Sequence, residues 1–299
     1  MTGNNRLTIE MGIEIETPET TEDLLQIINR NINGNFRFGA GYTDLVLELK
    51  QEPQKDLLII NLAQMDDSDF TTIQFVDEGI RIGALTTIAE IMTDKKVRHR
   101  APVVVQAAEN FASRQIREVA TVGGNICTAS PAGDMSCALT ALEASCEILN
   151  VEGDVRSVPI AEFFSGVKQT VLRAEEVLRS VVFPLNRTED IVHSRFVKVG
   201  VRNAMEIAIV SLAFHVLANN DGNVTSSGVA IGSVAPTIKF ARSACDFLAG
   251  KNLSRLTNNE REKFATMVLD CASPITDLRA SEWYRREVLW NICRDIFND

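Results

Sequence analysis

The chain has 299 residues, 45% hydrophobic and 23% charged, and at about 150 residues per domain this suggests one large folded domain or two modest ones. Forty acidic against thirty basic side chains give a net charge of −10, which argues against a protein that grips nucleic-acid backbone through a basic face. No apolar run approaches the roughly 18 residues of a membrane span, and the six cysteines (Cys127, Cys137, Cys146, Cys245, Cys271, Cys293) include no Cys-x-x-Cys pair, so neither a zinc ribbon, a local iron–sulfur site nor a disulfide scaffold is expected.

The opening Met-Thr-Gly-Asn-Asn-Arg lacks the apolar core of a signal peptide, so a cytoplasmic protein is expected. Ile13 to Glu16 reads as a strand stopped by Pro18. A helix begins near Thr21, whose hydroxyl can cap free amides, with Leu24, Leu25, Ile27 and Ile28 as its stripe. Phe36 to Gly41 reads as a strand entering a turn, Leu45 to Leu49 as a helical restart or second strand, and Leu57 to Leu62 as a strand. Thr71 to Val76 and Ile80 to Ile82 form a hairpin around Asp77-Glu78-Gly79. Ile88 to Met92 and Val103 to Phe111 read as helices, the second because Val105, Ala108, Phe111 and Ala112 recur at helical spacing.

The polar, proline-containing run between Phe183 and His193 is the best boundary. Beyond it, Phe196 to Gly200, Glu206 to Leu217 and Val224 to Ser233 read as three strands, the last two joined by Asn219-Asn220-Asp221-Gly222. Helices follow from about Lys239, Asn258 and Ser281. The stripes Phe264, Met267, Val268, Cys271 and Leu289, Ile292, Cys293, Ile296 are core packing, with cysteine as a small hydrophobe.

Two segments carry more than ordinary structure. In Phe38-Gly39-Ala40-Gly41-Tyr42-Thr43-Asp44-Leu45, closely spaced glycines after a strand let backbone amides approach an anion, and Thr43 adds a hydroxyl; alone, it also fits a tight turn. In Ala120-Thr121-Val122-Gly123-Gly124-Asn125-Ile126, paired glycines between a hydroxyl and a carboxamide would expose successive N–H groups, which suits a pyrophosphate or a flavin edge. Downstream, Asp134 offers an acceptor for a sugar hydroxyl. Neither segment is a Gly-x-Gly-x-x-Gly fingerprint, and there is no P-loop.

These segments give the chain a resemblance to the FAD-binding (medium) subunits of the molybdenum hydroxylases, the group of xanthine, carbon monoxide and nicotinate dehydrogenases. It rests on Ala40 to Leu45, on Gln115-Ile116-Arg117 with Ala120 to Asn125 and Ala129 to Asp134, on Gly232 to Thr237, on Asp277 to Ser281 and on Tyr284-Arg285-Arg286. It covers nearly the whole chain. The fold it implies is α+β: a two-subdomain FAD-binding fold of the PCMH (vanillyl-alcohol-oxidase-like) type over residues 1–183, divided at about residue 62. A smaller C-terminal domain over 190–299 would carry a three-stranded antiparallel sheet with helices.

The resemblance also implies a function. FAD would be bound noncovalently, since none of His99, His193 and His215 lies in a glycine segment. Phe38 to Leu45 and Thr121 to Asn125 would cradle the pyrophosphate. Phe111 and Leu178 would pack near the cofactor, Asp134 would be an acidic ligand, and Lys198 and Ile207 would approach the flavin ring. On the residues alone, Phe111 and Leu178 read equally as core, Lys198 as a solvated strand residue, Arg117 as a structural hydrogen-bonding residue or a solvent-facing cation, and Arg285 with Arg286 as a structural or interface pair. Tyr42 departs from the family's usual glycine or asparagine, so the loop should adopt ordinary dihedrals or shift there, with the ring either over the cofactor or outward. Glu206 stands where the family often has aspartate.

The function implied is electron relay, with no catalytic residue and no metal on this chain. Electrons would come from [2Fe–2S] clusters in a small partner subunit and pass to an acceptor such as NAD(P)⁺, the molybdenum cofactor sitting in a large subunit. The alternatives are a self-contained flavin oxidoreductase of the same fold and an FAD-free assembly scaffold.

Overall fold

The computed structural model describes residues 7–9, 12–77, 79–184, 191–202 and 206–298. The opening six residues, Glu78 of the expected turn and the 185–190 part of the expected boundary lie outside the described residues.

The first unit is a four-stranded sheet in the order Leu7–Ile9, Ile13–Glu16, Leu57–Asn61, Phe36–Gly39. Its first pair is antiparallel and the other two are parallel. Leu57, Leu58, Ile59 and Ile60 are all buried, as a central strand covered on both faces requires. The Thr21–Arg30 helix packs Leu24, Ile27 and Ile28 on this sheet. Its cap is Thr20, one residue before the expected one. Thr20 Oγ1 accepts the Asp23 N–H, and the Asp23 carboxylate accepts the Thr20 N–H, a reciprocal capping box. Leu45–Gln51 resolves as a helix, the first of its two expected readings.

The second unit is an antiparallel sheet in the order Ile73–Val76, Gly79–Gly83, Val177–Phe183, Ser145–Leu149, Val155–Pro159. The strand latest in sequence therefore sits at its centre. The Pro102–Glu109 and Asp134–Ala141 helices build the core beside it, and every residue of the second is buried.

The third unit is an antiparallel sheet of Ile191–Val199, Val210–Ala218 and Val224–Gly232, extended by the two-residue strand Lys239–Phe240. The three long strands come in the order read from the sequence, but the first starts at Ile191, inside the expected boundary, the second at Val210 rather than Glu206, and the short fourth strand was not expected. The helix expected from Lys239 instead starts at Arg242, because Lys239 and Phe240 pair with Ile231 and Ala230. One face carries the Asn258–Leu269 and Glu282–Asp295 helices through Phe264, Val268, Leu289 and Cys293, with Phe214, Phe264 and Phe297 edge to face. The other face sits on the second unit, where Ala213 and Ala230 join the core built around Asp134–Ala141. A Cβ on Gly228 would collide with the Ala141 carbonyl, so strand and helix meet there at backbone distance. Among the described residues no helix is long and apolar enough to cross a membrane.

Candidate functional site

A cavity of about 620 Å³ lies where the first and second units meet, within the roughly 300–1,000 Å³ of cofactor pockets. Phe38, Ala40, Gly41, Tyr42, Thr43, Asp44 and Leu45 form one wall. Phe111, Thr121, Gly123, Gly124, Asn125 and Leu178 form the other. The two glycine-rich segments, 80 residues apart in sequence, thus face one space.

The first segment leaves the Phe36–Gly39 strand and enters the Leu45–Gln51 helix. Among the described residues, the amides of Gly41, Tyr42, Thr43 and Asp44 donate to no protein acceptor, so this wall of the cavity keeps unspent donors. A Cβ on Gly41 would collide with the Val119 carbonyl, which is why the two walls close to this distance only at a glycine. Tyr42 does not take ordinary dihedrals. It holds the left-handed conformation itself, at φ 60°, a cost of roughly 1–2 kcal/mol. Its ring lies over Gly39 and packs against the cluster of Ile13, Leu45, Leu57 and Ile59, and its hydroxyl donates to Asn61 Oδ1 at 2.8 Å. Burial pushes that phenol up to about 12.

The second segment differs from its sequence reading. Val122–Cys127 is a short helix capped by Thr121, not an open loop. Its first amides are spent inside the protein: Val122 N–H on the Thr86 carbonyl at 3.0 Å, Gly123 on Ala84 at 2.8 Å, Asn125 on Thr121 at 3.1 Å. Gly124 donates to Thr121 Oγ1 at 3.0 Å. The paired glycines therefore expose no run of N–H groups. Gly123 is needed because Ala84 lies against it. What this wall offers a ligand is the Thr121 hydroxyl and the Asn125 side chain, whose Oδ1 already accepts the Ser136 N–H at 3.3 Å.

The remaining expected residues lie outside the cavity lining. Gly39 is roofed by Tyr42, and Val122 is fully buried in the core. Ile207 is 55% exposed before the Val210–Ala218 strand. Asp134 and Lys198 are brought together: Lys198 Nζ is 2.7 Å from Asp134 Oδ2, and both side chains are buried. Asp134 Oδ1 is buried without a hydrogen-bond partner among the described residues. Burial pushes the Asp134 carboxyl up to about 6 against the pull of Lys198. Lys198 is thus no solvated strand residue.

Composition alone did not flag the polar rim, formed by Arg37, Glu48, Cys127, Thr128 and Lys168. Glu48 accepts from Arg37 at 2.9 Å and from Lys168 at 3.1 Å, and Thr128 Oγ1 donates to Asp44 Oδ2 at 3.1 Å. Two contacts thereby join the walls across the opening. Burial alone would raise the Glu48 carboxyl, but the two cations hold it below its usual range.

Elsewhere, Arg117 is structural, the first of its two readings, donating to the Phe111 and Ala112 carbonyls. Arg285 is buried, with hydrogen bonds to the Ile209 and Ser233 carbonyls and to Asp277, whereas Arg286 makes a surface pair with Glu282. Glu206 folds over Gly200 and accepts the Arg202 N–H at 2.6 Å. No group of His, Cys, Asp and Glu able to hold a metal occurs among the described residues.

Residues 11–186 match the family described as FAD binding domain in molybdopterin dehydrogenase, and residues 195–299 match CO dehydrogenase flavoprotein C-terminal domain. The chain is 25% identical to the nicotinate dehydrogenase FAD-subunit of Eubacterium barkeri, over 96% of this chain and 95% of that one. It is 32% identical to xanthine dehydrogenase 1 of Arabidopsis thaliana over 72% of its own length, but spans only 16% of that protein. A crystal structure of the Cu,Mo-CO dehydrogenase, cyanide-inactivated, superposes with a TM-score of 0.85 at 21% identity, covering 94% of each chain, a likeness of fold.

Proposed function

The chain belongs to the family of FAD-binding domains of molybdopterin dehydrogenases, and from that premise we propose that it is the noncovalent FAD carrier of a multi-subunit oxidoreductase. One observation carries the reading. The cavity is walled by both glycine-rich segments, and Gly41 to Asp44, whose amides donate to no protein acceptor among the described residues, line this space of cofactor size. Such a cradle suits a pyrophosphate, whose charge needs several fixed donors at once.

What FAD supplies when bound is redox chemistry with both one-electron and two-electron partners. This chain's residues bind and orient. The Gly41 to Asp44 amides, the Thr43 and Thr121 hydroxyls and the Asn125 amide would hold its phosphates. Phe111 and Leu178 give an apolar surface for a ring system, and Leu45 adds to the lining. Phe38 and Ala40 line the entry to the same loop, with Gly39 and Val122 supporting the two walls from behind. Asp134, Lys198 and Ile207 act from beyond the lining, at the seam with the third unit. No side chain here is needed as an acid or base.

The wider reading follows the family. Residues 1–183 form a PCMH-type pair of subdomains meeting near residue 62, and residues 190–299 a C-terminal domain. Electrons would come from [2Fe–2S] clusters on a small partner subunit and pass to an acceptor such as NAD(P)⁺, with the molybdenum cofactor on a large subunit, all in the cytoplasm.

The test is purification of the chain alone and with its neighbours. A yellow protein that releases its FAD into the supernatant on acid denaturation, and that co-purifies with iron and molybdenum, is expected. A colourless chain that rejects added FAD would overturn the reading, and flavin retained on the denatured polypeptide would overturn its noncovalent part.

A further inference from the structure

The backbone corner that carries Phe111 is held from two sides. Lys198 Nζ donates to the Asn110 carbonyl at 3.1 Å, while Arg117 Nη1 donates to the next two carbonyls, Phe111 at 2.7 Å and Ala112 at 3.2 Å. Two cations thus claim three consecutive carbonyls, at a corner where Ala112 is at φ 36°. An L-residue resists that conformation, so the corner persists only because its surroundings enforce it.

Arg117 is local to the corner, but Lys198 is not. It stands on the Ile191–Val199 strand of the third unit, and both partners named for its ammonium, Asn110 and Asp134, belong to the second. Its side chain is only 9% exposed. Ordering and burying a lysine is unfavourable unless its charge is matched, and here Asp134 Oδ2 at 2.7 Å supplies the match. The approach is prepared one step earlier. Gln106 Nε2 donates to the Ser194 carbonyl at 3.1 Å, and Gln106 Oε1 accepts the Phe196 N–H at 2.7 Å. Two residues along the strand from Phe196 is Lys198, and one helical turn on from Gln106 is Asn110. The two periodicities bring ammonium and carbonyl into register.

We infer that Lys198 is a positioning residue, transmitting the seating of the third unit to the Phe111 wall, so that the cavity takes its working shape only when the C-terminal sheet is docked. This rests on the reading of the cavity as the FAD site. It assigns Lys198 a mechanical tie rather than a charge offered to the flavin.

The experiment is a double-mutant cycle on the full chain, read as the FAD dissociation constant by fluorescence titration. Lys198→Met is expected to weaken FAD about ten-fold, on the scale of one lost charge-assisted hydrogen bond. Phe111→Ala also weakens it, and the double variant is expected to match Phe111→Ala alone, since the tie acts through that wall. Hydrogen exchange at residues 110–113 of the FAD-free chain should quicken in Lys198→Met while the Asn258–Leu269 helix stays protected. Losses that multiply in the double variant, or unchanged affinity and exchange in Lys198→Met, overturn the inference. If Lys198→Met does not fold, the shorter, uncharged Lys198→Gln goes through the same cycle with the same criteria. A wild-type chain that binds no FAD sinks the cofactor reading instead, and the exchange experiment then still decides whether the tie exists.

Discussion

At the scale of single residues, the loop around Tyr42 is held by a compact set of contacts. The Tyr42 ring occupies the space a side chain on Gly39 would need. Gly39→Ala should therefore destabilise by about 1–3 kcal/mol, as overpacking does. Combined with Tyr42→Ala, the total should fall well short of the sum, which urea denaturation of the three variants will show. Two buried titrating groups have opposite effects in acid. His215, with Nδ1 3.1 Å from Ser194 Oγ, is lowered by burial to about 4. Its folded state favours the neutral ring, so its contribution is lost as pH falls from about 6.5 toward 4. Asp134 is raised by burial to about 6, so the folded state binds the proton more tightly and stability is lost as pH rises from about 4 to 6. Each amounts to roughly 3 kcal/mol, and in the wild type they largely cancel. Asp134→Asn should therefore lose stability steadily on acidification over this window, and His215→Gln should gain it. A parallel response of the two variants in denaturant titrations would contradict this assignment.

At the scale of elements, the sharpest contact is the backbone crossing of the Val224–Gly232 strand over the end of the Asp134–Ala141 helix. Gly228→Ala has only the Ala141 carbonyl to displace, and should cost at least about 2 kcal/mol in thermal or chemical unfolding. That helix also marks the limit of what the sequence disclosed. The Thr21–Arg30 helix was legible because one face is apolar and the other charged. Asp134–Ala141 is buried on every side, so its residues show no stripe, and it sits between two sheets that only the folded chain brings together. The strands Ser145–Leu149 and Val155–Pro159 escaped for the converse reason. Each is five residues of mixed polarity, and what makes them strands is their partner rather than their own pattern.

At the scale of the whole molecule, the candidate site was legible as two segments but not as a shape. Glycine spacing singled out Phe38 to Leu45 and Thr121 to Asn125, yet the reasons differ: the first offers free amides, while the second uses its glycines to pack against Ala84 and the Thr121 hydroxyl. The rim was invisible in sequence because Glu48 and Lys168, 120 positions apart, gain meaning only across the opening. Glu48→Gln loosens that bridge, and as a half-exposed contact it is worth about 0.2–1 kcal/mol. FAD release in stopped flow should quicken about two- to five-fold, more at low salt than at high, with little change in melting temperature. The strand order of the second unit bears on how the chain is made. Val177–Phe183 pairs on one side with Gly79–Gly83 and on the other with Ser145–Leu149. Until the ribosome has released it, the earlier hairpins are two separate ribbons with open edges, unable to join. The unit must close over nearly a hundred residues of intervening chain in one late event, slow by the entropy of that closure. A nascent chain stalled just before residue 177 should consequently bind chaperone more strongly than one stalled beyond about 215, with that strand outside the exit tunnel.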